Sequence, residues 1–355
     1  MLNRFIHNKP FSLESGASLS SLEIAYHTYG ELNKKKNNAI WICHALTASS
    51  DAADWWSGLV GEGKVFDSKK NFIVCANILG SCYGSSGPLS INPETGEKYY
   101  SSFPQITIRD MVNAHILLRK HLGIEKIFIG AGGSMGAYQL LEWAVMEPKL
   151  FSKQVLMNTG ARESAWGISI HTAQRLAIEA DPTWQNESDN AGANGLKAAR
   201  AIGMLTYRNY ETFTGQQTDD DNSKLDNYKA SSYISYQGDK LVKRFNAYSY
   251  WLLTKAMDSH NLLRGRSQKS TRLPTLILNE VGQEVKRMEY ILRSIKTKIL
   301  IIGMSSDILC PNAEQKYLAK HLPNSTLKIV DSSYGHDGFL IEWEKLTKAT
   351  KKFIG

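Results

Sequence analysis

The chain has 355 residues, of which 42% are hydrophobic and 21% charged, and its formal net charge is +8. These values exclude a disordered or low-complexity polymer and allow one large α/β domain with an insertion, or two domains. The basic excess is no nucleic-acid footprint, because the lysines are scattered and the one dense run, Lys34-Lys35-Lys36, falls in a polar stretch.

A solvated basic surface follows, with an anionic small substrate as the alternative. No apolar run reaches membrane-spanning length, and Met1 to Pro10 lacks the long apolar region of a signal peptide, so no membrane partner and a cytoplasmic location are expected. Cys43, Cys75, Cys82 and Cys310 show neither paired nor zinc-type spacing. No metal and no disulfide framework are expected.

Ile40 to Cys43 and Asn71 to Cys75 are apolar runs bounded by polar or turn residues, the pattern of strands buried on both faces. The sequence predicts a helix from Ile108 to Leu122 and a strand at Ile127 to Ile129. Further strands are expected at Val155 to Met157, Lys298 to Gly303 and Leu327 to Val330, with a helix at Asn312 to Leu322. This alternation predicts an α/β fold with a mostly parallel central sheet covered by helices on both faces. Between about 160 and 295 the rhythm breaks. Helices are expected at Ile168 to Glu179, Gly195 to Leu205 and Lys240 to Asp258, with a polar mobile loop at Thr214 to Lys229 and no comparable strand. The expected organisation is a core of residues 1–159 and 296–355 with a helical lid inserted at 160–295. Along Leu241 to Leu253, the apolar Phe245, Tyr248, Trp251 and Leu252 have either the lid or a second subunit to pack against.

After Ile127 to Ile129 come Gly132, Gly133, Ser134, Met135 and Gly136, then helix-compatible sequence. A strand that reverses into a helix through Gly-x-Ser-x-Gly is a nucleophile elbow. The turn needs strained backbone and space, which glycines at 132 and 136 supply. Ser134 is then held at the carboxyl end of the sheet, and the Met135 N–H, opening the helix, faces a developing oxyanion.

A serine needs a base and a group that orients it, expected in the order acid, then histidine, each after a strand. Asp307 follows the strand at Lys298 to Gly303, and His336 follows the last strand beside Gly335. Asp331 and Asp337 are rival acids, but Asp337 adjoins the histidine and is poorly placed to face its ring. The second oxyanion donor is expected after the strand at Ile40 to Cys43, where the Leu46 N–H is the candidate; His44 is as well read as a structural residue of that loop.

Six stretches together carry a resemblance: His44 to Thr47, Asn77 to Pro88, Phe103 to Asp110, Gly132 to Gly136, Leu205 to Arg208 and Gly335 to Asp337. In these, over nearly its whole length, the chain resembles the homoserine O-acetyltransferase family. The resemblance implies an α/β-hydrolase fold and transfer of an acetyl group from acetyl-CoA to the hydroxyl of L-homoserine, with no permanently bound cofactor. It implies Ser134 as nucleophile, Asp307 as acid and His336 as base. It also implies that Arg208 and Asp337 hold the acceptor, as a guanidinium suits a carboxylate and a carboxylate an ammonium, and that the assembly is a homodimer.

The chain departs from the family pattern at Ala137-Tyr138 after the elbow, at Asn209 after Tyr207-Arg208, and at Asn246 and Tyr248 after Arg244-Phe245. Those positions leave a succinyl donor or a serine acceptor open. A carboxylic-ester hydrolase with the same triad, in which water completes turnover, and an inactive binding module are the readings from other classes.

Overall fold

The computed structural model describes residues 1–266 and 280–355. Numbered in chain order, eight strands form the central sheet: β1 (Leu2–His7), β2 (Leu22–Tyr29), β3 (Ala39–Cys43), β4 (Phe72–Ala76), β5 (Ile127–Gly133), β6 (Phe151–Met157), β7 (Lys298–Met304) and β8 (Ser325–Val330). Their spatial order is β1-β2-β4-β3-β5-β6-β7-β8. Every neighbouring pair from β4 to β8 is parallel, while β2 runs antiparallel to both β1 and β4.

The side-chain period of two divides each central strand between two apolar layers. Along β3, Trp41 and Cys43 join Leu118, Leu140 and Trp143 of the helices Ile108–His121 and Met135–Met146. Ile40 and Ile42 face the other way, toward Trp56 and toward Leu346 of the helix Trp343–Ile354. Both faces are therefore covered, which is why these strands read as unbroken apolar runs. Trp41 and Trp143 are wholly buried and meet edge to face, with ring centroids 5.2 Å apart. Such a pair adds roughly 0.5–1.5 kcal/mol to the area it buries.

Three differences from the sequence reading have physical causes. The strands β1 and β2 were not anticipated, because β1 is a half-exposed edge strand whose Leu2, Arg4 and Ile6 face solvent. β5 continues four residues past Ile129, where Gly130, Ala131, Gly132 and Gly133 lack apolar bulk yet pair in register with β6. The continuous helix expected at Lys240 to Asp258 is two helices, Lys229–Val242 and Ala247–Asp258. Asn246 stops the run by capping the second one, its side chain accepting from the Ser249 N–H at 2.8 Å.

Between β6 and β7 lie the helices Ala165–Glu179, Ala193–Tyr207, Tyr210–Gln217, Lys229–Val242, Ala247–Asp258 and Glu280–Ser294, and among the described residues no strand. Residues 267–279 of the expected lid lie outside the described residues. The polar tract at Thr214 to Lys229 is shorter than expected, since helix takes both its ends. Within it the Asp219 carboxylate accepts from Lys224 at 2.5 Å and from the Lys229 N–H at 2.9 Å. Phe245, Tyr248 and Leu252 pack inside this chain and are at most 5% exposed.

Candidate active site

β5 hands over to the helix Met135–Met146 at Ser134, whose backbone is held at φ 54° and ψ −128°. A non-glycine residue with positive φ costs about 1–3 kcal/mol and persists only where its surroundings enforce it. Here the enforcement is close packing. A Cβ on Gly136 would collide with the Cys43 carbonyl oxygen, and one on Gly132 would stand 2.9 Å from that same atom. The Ser134 N–H is tied to the Met157 carbonyl at 2.9 Å, so the elbow is wedged between β3 and β6.

Asp307 and His336 come together from loops after β7 and β8. The His336 Nδ1 lies 2.8 Å from Asp307 Oδ2, with the aspartate side chain fully buried. The other carboxylate oxygen accepts from the Leu309 and Cys310 N–H groups, each at 2.9 Å. Burial alone would disfavour a charged imidazole, but the charge and hydrogen bond of Asp307 outweigh it and raise the His336 pKa above its usual value. With Nδ1 engaged, Nε2 is the nitrogen left for proton transfer. Asp331 is exposed and accepts from Ser305, so it is not brought to the imidazole.

Ser134, His336, Asp337 and Leu46 line one cavity of about 560 Å³, a size suited to a small organic substrate. Leu46 belongs to a loop fixed by His44. The buried His44 ring lies 2.8 Å from the Ala45 carbonyl through Nδ1 and accepts from the Ile78 N–H at 3.1 Å through Nε2. Burial pushes its pKa down to about 4, which keeps it a neutral strut. Met135 follows Ser134 directly and is fully buried.

Arg208 and Asp337 are also brought together, 3.5 Å apart. Burial raises the Asp337 carboxyl above the usual carboxylate range, although Arg208 and His336 pull the other way. Arg208 itself borders a smaller neighbouring cavity of about 150 Å³.

Two of the departures are helix caps. Asn209 accepts from the Glu211 N–H at 2.9 Å, and Asn246 from Ser249 as described, the task serine and aspartate side chains perform at the same positions. Tyr138 stacks on His260 with centroids 4.0 Å apart and donates to Glu163 at 3.1 Å, linking the elbow helix to the region between β6 and β7. Asp307, Cys310 and His336 also place three metal-ligating atoms within 4.8 Å of one another. Burial pushes the Cys310 thiol well up, so it stays protonated and is a poor ligand.

The sequence reading missed Arg200 and His171, which line the same cavity. His171 Nδ1 lies 2.8 Å from Asp258, which also accepts from Arg175 at 2.6 Å. Arg200 had a signal: it stands seven residues before Tyr207, on the same helix face.

Residues 38–342 match the model of the alpha/beta hydrolase fold family. A homoserine O-acetyltransferase of Cyclobacterium marinum is 46% identical over 349 residues, covering 98% of this chain and 94% of that one. The chain belongs to the homoserine O-acetyltransferase family. The solved homoserine O-acetyltransferase of Bacillus anthracis superposes with a TM-score of 0.88 at 22% identity, covering 100% of this chain and 97% of that one. Esterase E22 gives 0.84 at 22% identity with both chains covered completely, so acyltransferase and esterase share this fold. Chemistry within it is decided by the cavity.

Two outcomes follow from this geometry. Gly136→Ala should destabilise the protein by about 3 kcal/mol, because neither the new methyl nor the β3 carbonyl has room to yield. Urea unfolding followed by circular dichroism measures it, and a loss below about 1 kcal/mol would contradict the wedged elbow. Because a base works as neutral imidazole, acyl-enzyme formation should rise with pH and reach half its maximum above pH 6.5, the ordinary histidine value. In Asp307→Asn burial loses its main opponent, so the midpoint should move to lower pH; an unmoved midpoint in a stopped-flow pH profile would refute the assignment.

Proposed function

We propose that this chain transfers the acetyl group of acetyl-CoA to the hydroxyl of L-homoserine in methionine biosynthesis, through an acetyl ester on Ser134. The observation that carries this reading is the hydrogen-bonded Asp307–His336 pair opening, with the elbow serine, into one cavity in a member of this family. Ser134 Oγ attacks the thioester carbonyl as His336 Nε2 takes its proton. The tetrahedral oxyanion is met by the Met135 and Leu46 N–H groups. Collapse expels the CoA sulfur, which leaves with the proton held by His336. Homoserine then enters, gives its hydroxyl proton to His336 and attacks the acetyl ester, and O-acetylhomoserine departs as Ser134 recovers its proton.

Arg208 and Asp337 hold the acceptor in this scheme. Arg208 and Asp337 stand 3.5 Å apart as opposite charges, and a zwitterion can insert between them with its ammonium on Asp337 and its carboxylate on Arg208. The helices between β6 and β7 act as the lid that keeps water from the acyl-enzyme. No helix of the described residues is long and apolar enough to cross a membrane, and the four cysteines are free thiols, which suits a reducing cytoplasm. A homodimer joined through the lid would cover its exposed Leu205, Tyr210 and Tyr236.

Ser134→Ala should lower turnover by on the order of 10⁴-fold and leave no radiolabel on the protein after mixing with labelled acetyl-CoA. A labelled Ser134→Ala protein would end the acyl-serine scheme. Arg208→Ala should raise the homoserine concentration needed for half-maximal rate by about 30-fold while the burst of free CoA persists. A homoserine response like that of the unaltered enzyme would remove Arg208 from the acceptor site.

A further inference from the structure

We propose that Arg200 supplies a second guanidinium to the carboxylate of the amino acid acceptor, forming with Arg208 a two-armed clamp beside Asp337. This rests on the acetyl-transfer reading above and extends it to a residue that the resemblance does not place in the site.

Arg200 lines the same cavity as Ser134, His336 and Asp337, whereas Arg208 borders the smaller one. Its Nε is buried with no hydrogen-bond partner. Among the described residues no carboxylate is paired with it, although Arg175 and Arg208 each have one. Arg200 as a whole is half-buried, and a guanidinium partly withdrawn from water with no carboxylate beside it gains from an anion that enters the cavity it lines.

The local packing fixes where that anion would lie. Arg200 and Tyr207 are seven residues apart on the helix Ala193–Tyr207, hence on one face. The guanidinium carbon stands 5.4 Å from the Tyr207 ring centroid, and that ring is 5.9 Å from the His336 imidazole. Gly203, between them on the helix, leaves room for this packing: a Cβ there would stand 3.0 Å from Gln174 Nε2 and 3.1 Å from the Tyr207 ring. Arg200 is thus held on the Tyr207 side of the imidazole, and its charge acts on Asp337, favouring the ionised carboxylate against burial.

An α-amino acid carries its two charges on adjacent groups, so an ammonium on Asp337 sets its carboxylate beside whichever cation shares the cavity. Arg200 is the cation on the cavity wall, and Arg208, 3.5 Å from Asp337, is the second arm. Lys240 and Arg244 also border the cavity, but Lys240 is exposed and Arg244 is spent on the Thr47 carbonyl and the Tyr83 hydroxyl.

The test compares L-homoserine with L-homoserinamide, which keeps the hydroxyl and the amine but lacks the negative charge. The unaltered enzyme should prefer homoserine in kcat/KM by about 100-fold or more. Arg200→Gln should cut that preference to below about 10-fold, by lowering the value for homoserine and not that for the amide, and Arg200→Lys should restore part of it as an unforked cation. The burst of free CoA from acetyl-CoA serves as the internal control and should keep its amplitude. A parallel fall for both acceptors, in Gln and Lys variants alike, would make Arg200 a structural residue and overturn the proposal. An unchanged preference overturns it too, and a lost burst would give Arg200 to the acyl donor instead. An unaltered enzyme that leaves homoserine unacetylated removes the acetyl-transfer reading itself, whereas failure confined to the Arg200 comparison removes only the clamp.

Discussion

The contact on which the site depends is the approach of the elbow to β3. The Cys43 carbonyl oxygen occupies the space that any side chain at 136 would need, and it crowds 132 as well. The helix Met135–Met146 can therefore start only one residue after the strand ends, with Ser134 bent into positive φ between them. That strain is sustained by a sheet whose central strands are buried on both faces, so the backbone has no softer direction in which to relax.

Around this fixed point the remaining groups arrive from strands that are neighbours in space but distant in sequence. β7 and β8 lie beyond β6 in the sheet, and their following loops deliver Asp307 and His336 to within 2.8 Å of each other. β3 and β4 deliver the His44 loop on the other side, with Ile78 after β4 bonded to the His44 ring. The parallel arrangement makes this convergence natural, because every strand from β4 to β8 ends on the same side of the sheet.

The region between β6 and β7 adds charge rather than reactive chemistry. It brings Arg208 to Asp337, Arg200 into the cavity, and the Asp258-bound His171 to its wall. In the proposed reaction the core supplies the acyl-enzyme and this region chooses what attacks it. Esterase E22 has the same fold, so the scaffold by itself does not fix the reaction. Asn209, which follows Arg208, and Asn246, two residues past the cavity-lining Arg244, are spent on capping helices.

Much of this was legible in the chain itself, where local chemistry leaves a local mark. β3, β4 and β7 are apolar runs because both faces are buried; the elbow is visible because a turn this tight tolerates only glycine at 136; and Asp307 and His336 follow strands in the chain order that this fold uses. Other features left no such mark. β1 is a half-exposed edge with no apolar run, β5 ends in small residues, and the break at 243–246 turns on whether Asn246 caps a helix or continues one. That Arg208 lies 3.5 Å from Asp337, and Arg200 on the cavity wall, was decided by tertiary structure: the resemblance names the first pair and helical spacing aligns Arg200 with Tyr207, but which surface a helix face meets depends on segments more than 100 residues apart packing together.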